Sequence, residues 1–346
     1  MTVSTILKAL VAGTALLSAP GAQAAQGDTL KTVKERGTLS CSGHNGSYLG
    51  MAEVDDEGNW KGFDVELCAA MATAIFGTDE GHLDIKPTSW AQRWPSIQSG
   101  ELDIIIKSSG WTMGRDTEIG MQFSRPYMMA AISYMARKDT GATDAAGLDG
   151  GTLCVQTGTT LERYAVEHAA AMGYSLEVVP FEKTEEAKAA FLSGRCDAYI
   201  DWDLQLAVMR ATEIDDPENY LILPDTLSAE PLGMVMRQGD DNWVDIANWL
   251  MSALLMADES GVTSANVDEM KANPPTPGVA KLLGATPGVG ERLGLSDDWA
   301  YNVIKRHGNY DEIWNNNVGS NSVYGLARGV NGLIRDGGIL HSLVMD

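Results

Sequence analysis

An arginine set among glycine and threonine in a heavily acidic chain suggests one kind of chemistry, the capture of an anion. Arg115 lies in "KSSGWTMGRD" (107–116), just after the apolar run "LDIII", while the chain carries 25 Lys+Arg against 47 Asp+Glu. A guanidinium presents a planar fork of donors that fits a carboxylate. The competing use is a surface ion pair with Asp116 or Glu118, a contact that contributes little when exposed. A second anion-binding element is "QTGTTLER" (156–163). Gly158 lets a ligand approach the backbone, Thr159 reads as an N-cap, and the free N–H groups of the helical turn opening at Thr160 form an anion site. Taken alone, the G-T-T turn is better read as a plain helix cap; opposite an arginine from another unit it becomes a clamp for a carboxylate.

Other chemistries find little support. The net charge of −22 excludes a sequence-independent grip on phosphate backbones and an anionic membrane surface, both of which need clustered positive charge. Most of the carboxylates read as a solvated surface. The five histidines, His44, His82, His168, His307 and His341, show no metal or triad spacing. No G-x-S-x-G and no phosphate-cradling G-x-x-x-x-G-K occurs. We therefore expect a binding protein without metal or cofactor, with an acid–base enzyme as the minor alternative.

The first residues read as an export signal. Lys8 precedes "ALVAGTALLSAPGAQA", and Ala22-Gln23-Ala24 offers a small-x-small cleavage site, so residues 1–24 are expected to be removed on export. The apolar core is shorter than the roughly 20 residues of a membrane span, and "WLMSALLMA" is shorter still. In an exported chain the four cysteines count as disulfides. The expected pairs are local, Cys41 with Cys68 and Cys154 with Cys196, because a bridge between the two groups would tie together units that must move. Free thiols or a metal site are the alternatives.

Two similar units position these residues. "TLSCSG" (38–43) reads as a strand, Phe63, Leu67, Met71 and Ile75 mark a helix, "LDIK" (83–86) is a strand, 90–99 a helix and "LDIII" (102–106) a buried strand. The middle of the chain repeats the order: strand 152–156, helix 160–173, strand 176–181, helix 185–194, strand 196–200. The echo reaches the punctuation, since "QSGELDIII" and "LSGRCDAYI" each end a helix at Gly100 or Gly194 and enter a strand with Asp103 or Asp197. Two such α/β units leave strand ends and helix N-termini facing a crevice. The segments emerging there are "HNGSYLG" (44–50), with His44 and Tyr48, "KSSGWTMGRD", with Ser108 and Arg115, "TGTTLE" (157–162) and "DWDLQ" (201–205).

On these pieces the chain resembles the periplasmic solute-binding proteins of polar amino-acid ABC importers, in the longer general L-amino-acid-binding type. The similarity is carried by "GNWKGFDVELC" (58–68), "IQSGELD" (97–103), "WTMGRDT" (111–117), "FSRPY" (123–127), "LCVQTGTT" (153–160), "EPLGMVMRQGDDNW" (230–243) and "LSDDWAYNVIKRHGNYDEIWNNNVG" (295–319). The resemblance implies an α/β fold of the type II periplasmic-binding-protein kind. It has two lobes, 25–128 and 129–233, joined by a two-crossing hinge near "RPYMMAA" and "AEPLGM". Residues 234–346 return to the first lobe and add a helical C-terminal extension. It also implies a periplasmic location, a small carboxylate-bearing ligand, a membrane permease as partner, and no nucleic acid. Arg115 would hold the ligand α-carboxylate, with Gly158, Thr159 and Thr160 donating from the other lobe. A few relatives of this fold are dehydratases.

Two positions depart from the resemblance. The acid that accepts the ligand ammonium falls at Trp202, between Asp201 and Asp203, and the hydroxyl that assists it falls at Gly110. Alternation along a strand would turn Asp201 and Asp203 away from wherever Trp202 points, unless the strand end breaks it. One expectation is therefore a polar L-amino acid with Asp201 or Asp203 reaching the ammonium. The other is a carboxylate without a free α-ammonium, a betaine or organic acid, in an aromatic pocket of Trp202, Trp111, Tyr48 and Trp90.

Overall fold

The computed structural model describes residues 28–46 and 48–346. The export signal read at residues 1–24 lies outside the described residues.

Strand β1 (Leu39–His44) pairs in parallel with β2 (Leu83–Thr88). Between them runs α1 (Phe63–Phe76), in which the four-residue apolar period Phe63, Leu67, Met71 and Ile75 is buried. Helix α2 (Arg93–Ser99) then leads to β3 (Ile105–Gly110). This strand starts three residues later than the apolar run suggests. Residues 102–104 are buried and run beside β1, Ile104 through a parallel bridge to Cys41 and Asp103 through hydrogen bonds with Ser40. The short helix α3 (Met113–Thr117) follows.

The second unit repeats the pattern with β5 (Gly151–Gln156), α4 (Thr160–Met172), β6 (Leu176–Phe181), α5 (Thr184–Leu192) and β7 (Ala198–Trp202); β5 pairs in parallel with both β6 and β7. The repeated punctuation has a physical basis. Gly100 and Gly194 both take left-handed φ, 82° and 81°, after α2 and α5, where a side chain would be strained. Asp103 accepts from the Ser40 amide (2.7 Å) and Asp197 from the Thr152 amide (2.8 Å), so each carboxylate ties its strand entry to the first strand of its own unit. Disulfides Cys41–Cys68 and Cys154–Cys196 do the same, one within each unit.

Two ten-residue strands, β4 (Met128–Arg137) and β8 (Ser228–Arg237), join the units. They pair antiparallel from Leu232↔Met128 to Ser228↔Ile132; β8 continues along β3, and β4 along β7. The sheet order is therefore β3-β8-β4-β7-β5-β6.

After α6 (Asp203–Thr212) and β8, the chain forms α7 (Asp241–Ser260), whose Trp243, Ile246, Leu250 and Leu254 are buried. No helix among the described residues is long and apolar enough to cross a membrane. The C-terminal extension adds α8 (Trp299–His307) and α9 (Tyr310–Asn317), with Tyr310 and Trp314 meeting Phe63 edge-on. It also grips the joining strands. The Asn331 side chain accepts from the Met129 amide (2.7 Å) and donates to its carbonyl (3.0 Å), and the Tyr310 hydroxyl donates to the Tyr127 carbonyl (2.7 Å). Replacing Asn331 by Ala removes two bonds to half-buried backbone and is expected to lower unfolding stability by about 1–3 kcal/mol. Urea melting of the variant against wild type checks this, and an unchanged midpoint would contradict it.

Candidate functional site

Where the two units face each other, one cavity gathers side chains from both. Tyr48, Trp90, Arg93, Ser108 and Arg115 come from the first unit; Gln156, Thr159, Thr160, Leu161, Asp201 and Trp202 come from the second. The units touch across the cleft. The Tyr48 hydroxyl donates to Asp201 (2.9 Å), Gln205 Nε2 donates to the Leu49 carbonyl (3.0 Å), and a Cβ on Gly158 would lie 3.4 Å from Ala91. Gly158 itself has φ 73°, which opens the tight turn before Thr159.

Arg115 is 8 % exposed. Its Nη1 donates to the Gly110 carbonyl (2.8 Å) and its guanidinium stacks on Trp94, 5.1 Å from the ring centre. Neither Asp116 nor Glu118 pairs with it; Asp116 instead accepts from Trp111 Nε1 (3.1 Å). Burial lowers the Arg115 pKa, with Glu230 working the other way. A second guanidinium, which sequence reasoning missed, stands beside it. Arg93 is 1 % exposed, packs on Trp90 and Trp94, donates Nη1 to the Trp90 carbonyl, and leaves Nε without a partner. Its pKa is driven down by burial, then by Arg115. Among the described residues neither arginine has an ion-pair partner. Two buried, unpaired cations are costly to fold around, so the arrangement suits an incoming anion.

The opposite wall supplies neutral donors. Thr159 caps α4, its side chain accepting from the Glu162 amide. The first-turn amides of that helix have no carbonyl within the helix to bond, and the positive end of the dipole favours an anion there. Thr160 lines the cavity, but its hydroxyl donates to Glu230 Oε2 (2.9 Å).

Asp201 and Trp202 both line the cavity, against simple alternation. The strand ends at Trp202, the N-cap of α6, and the chain turns there, which removes the period-2 constraint. The Asp201 carboxylate accepts from Tyr48 and Tyr199 hydroxyls (2.9 and 2.7 Å) and the Trp202 amide (2.8 Å); burial raises its pKa while these donors oppose the rise. Trp202 is buried edge-on to Tyr48, and its Nε1 has no partner.

Other expected residues fall around or outside the cavity. Asp203 is exposed at the start of α6 and bonds the Leu204 amide, facing the groove beside Met129–Ala131. Trp111 is 37 % exposed and stacks on Phe123. His44 sits in the wall behind Tyr48 and Trp90, stacked on the first and edge-on to the second; burial and then Lys107 hold its pKa well below normal, so it is neutral. Among the described residues Ser108, with φ 39°, is the non-glycine residue held left-handed, and its hydroxyl donates to Asp64 (2.8 Å). Asp64 also accepts from Tyr127 (2.9 Å), and burial pushes its pKa to about 6. At Gly110 a Cβ would lie 2.4 Å from Glu230 Oε2.

The chain is similar to known proteins over most of its length. Residues 42–260 match the bacterial extracellular solute-binding proteins, family 3. The chain is 42% identical to the general L-amino acid-binding periplasmic protein AapJ of Rhizobium johnstonii, over 95% of this chain and 96% of that one. It is 38% identical to the glutamate/glutamine/aspartate/asparagine-binding protein BztA of Rhodobacter capsulatus, over 95% and 97%. Among solved structures, an ABC transporter periplasmic binding protein from Brucella ovis with glutathione bound superposes with a TM-score of 0.87 at 39% identity, covering 92% of this chain and 99% of that one.

Proposed function

We propose that this chain, which belongs to the bacterial extracellular solute-binding proteins, family 3, takes a polar L-amino acid as its ligand. It is an amino-acid-binding periplasmic protein of an ABC transporter, a binding protein and not an enzyme. The observation that carries the ligand reading is the pair of buried arginines without anions, Arg93 and Arg115, facing the N-terminus of α4. A carboxylate between them would take a bidentate pair from Arg115 and backbone donors from the other unit, satisfying charges that are otherwise desolvated and unpaired. The relative named for binding glutamate, glutamine, aspartate and asparagine supports a polar side chain.

The contacts come from both units, so they exist together only when the units are closed. A ligand therefore favours the closed form by the affinity that the open form lacks. Strands β4 and β8, where they pair at 128–132 and 228–232, are the hinge of this reading. The permease of the importer would respond to the closed face. Small-angle scattering is expected to show a smaller radius of gyration with L-glutamate or L-glutamine than without; an unchanged radius would end the hinge mechanism.

One observation favours a ligand without an α-ammonium. Trp202 presents a buried, unpartnered N–H donor where an acceptor would suit an ammonium. A thermal-shift screen of L-amino acids against betaines, keto acids and aromatic acids separates the two. Stabilisation by several polar L-amino acids is the expected result, and a response to non-amino acids alone would replace the first reading with the second.

A further inference from the structure

The amino-acid reading leaves a chemical gap, because Trp202 cannot accept a hydrogen bond at its ring nitrogen and the Asp201 carboxylate already holds three donors. The structure offers another anion. Glu230 lies on the hinge strand β8, opposite Ala130 of β4, and is 2 % exposed. Its Oε2 accepts the Thr160 hydroxyl at 2.9 Å, and its Oε1 is buried without a partner. Among the described residues it has no ion pair; burial raises its pKa, while Arg115, the Thr160 hydroxyl, Arg163 and Arg93 all favour its ionised form.

We propose that Glu230 and Thr160 together form the acceptor for the ligand's ammonium group. The argument is one of hydrogen-bond direction. A carboxylate accepts only, so Thr160 must spend its single O–H on Glu230. What the Thr160 oxygen has left to offer the cavity is lone pairs, and it can then only accept. An acceptor hydroxyl backed by a negative charge suits an N–H⁺ donor and repels a carboxylate. The ligand carboxylate is thereby directed to Arg115 and the backbone of α4, and the ammonium to Thr160. Gly110 makes this possible, since any Cβ at that position would stand 2.4 Å from Glu230 Oε2. Placing the charge on β8 also couples the ammonium contact to the strand about which the units close.

This inference rests on the amino-acid reading, and the test keeps the two apart. Isothermal titration of wild type with L-glutamate and with glutarate, its des-amino counterpart, decides the first. We expect a preference for L-glutamate of about 50-fold or more, on the scale of a desolvated charge contact. Binding of neither compound, nor of L-aspartate or L-glutamine, would overturn the ligand reading before any variant is made. Glu230→Gln and Thr160→Val are then expected to cut the preference below fivefold while glutarate affinity holds or rises. Thr160→Ser should keep the preference. Gly110→Ala, which displaces the carboxylate from the other side, should reproduce the loss. Full preference retained in folded Glu230→Gln or Thr160→Val would overturn the assignment while leaving the amino-acid reading intact.

Discussion

Arg115→Lys is expected to weaken binding of L-glutamate or L-glutamine by more than about tenfold, or about 1.4 kcal/mol, although the charge is kept. The geometry explains why charge is insufficient. One arm of the Arg115 guanidinium is committed to the Gly110 carbonyl at 2.8 Å and its plane lies on Trp94, so the rest of the fork is aimed and held before the ligand arrives. A lysine ammonium is a point charge on a flexible stem; it cannot hold that carbonyl and also present two parallel donors, and it forfeits the planar stacking. The variant should melt close to wild type, because the arginine makes no ion pair whose loss would strand an acid. Titration calorimetry reads the affinity. Near-wild-type binding would mean that the guanidinium does not touch the ligand.

How much of this was legible beforehand differs between fold and site for physical reasons. The β-α-β-α-β order and its repetition follow from local periodicity, and the two disulfides from the expectation that each bridge stays within one moving unit. Even the matched Asp103 and Asp197 could be noticed, because each recurs at a fixed offset from a helix-ending glycine. Arg115 and the G-T-T turn were visible because each carries its chemistry within a few residues. Glu230 was not: "AEPLGM" reads as one of the two hinge crossings, and the meaning of its acid depends on Thr160, 70 positions away. The expected donation to a ligand from Gly158, Thr159 and Thr160 does not come from the Thr160 hydroxyl, which is spent on Glu230. Arg93 was hidden inside "WAQRW", where a cation between tryptophans gives no spacing signal; only the packing shows that it faces Arg115. The failure of alternation at Asp201 is of another kind. Strand geometry holds only while the strand continues, and here it stops at Trp202.

Arg93 also yields the sharpest statement about ligand choice. Arg93→Gln is expected to reduce affinity for L-glutamate by about 30-fold or more, since truncating one member of a buried, hydrogen-bonded charge pair costs about 2–5 kcal/mol. L-Glutamine should lose less than about threefold, because a neutral side-chain amide gains little from a second guanidinium. The reasoning starts from the repulsion between two desolvated cations. Arg115 depresses the Arg93 pKa after burial has already done so, both stack on Trp94, and Glu230, which acts on both through space, forms an ion pair with neither among the described residues. One ligand carboxylate can satisfy one of them; a second, on the side chain, satisfies the other. The same reasoning fixes an independent sign. Removing an unpaired buried charge relieves a penalty in the ligand-free protein, so ligand-free Arg93→Gln should melt at a higher temperature than wild type even as its L-glutamate affinity falls. Equal losses for L-glutamate and L-glutamine would place Arg93 on the α-carboxylate instead, and a lower melting temperature would mean that its stacking between Trp90 and Trp94 outweighs its charge.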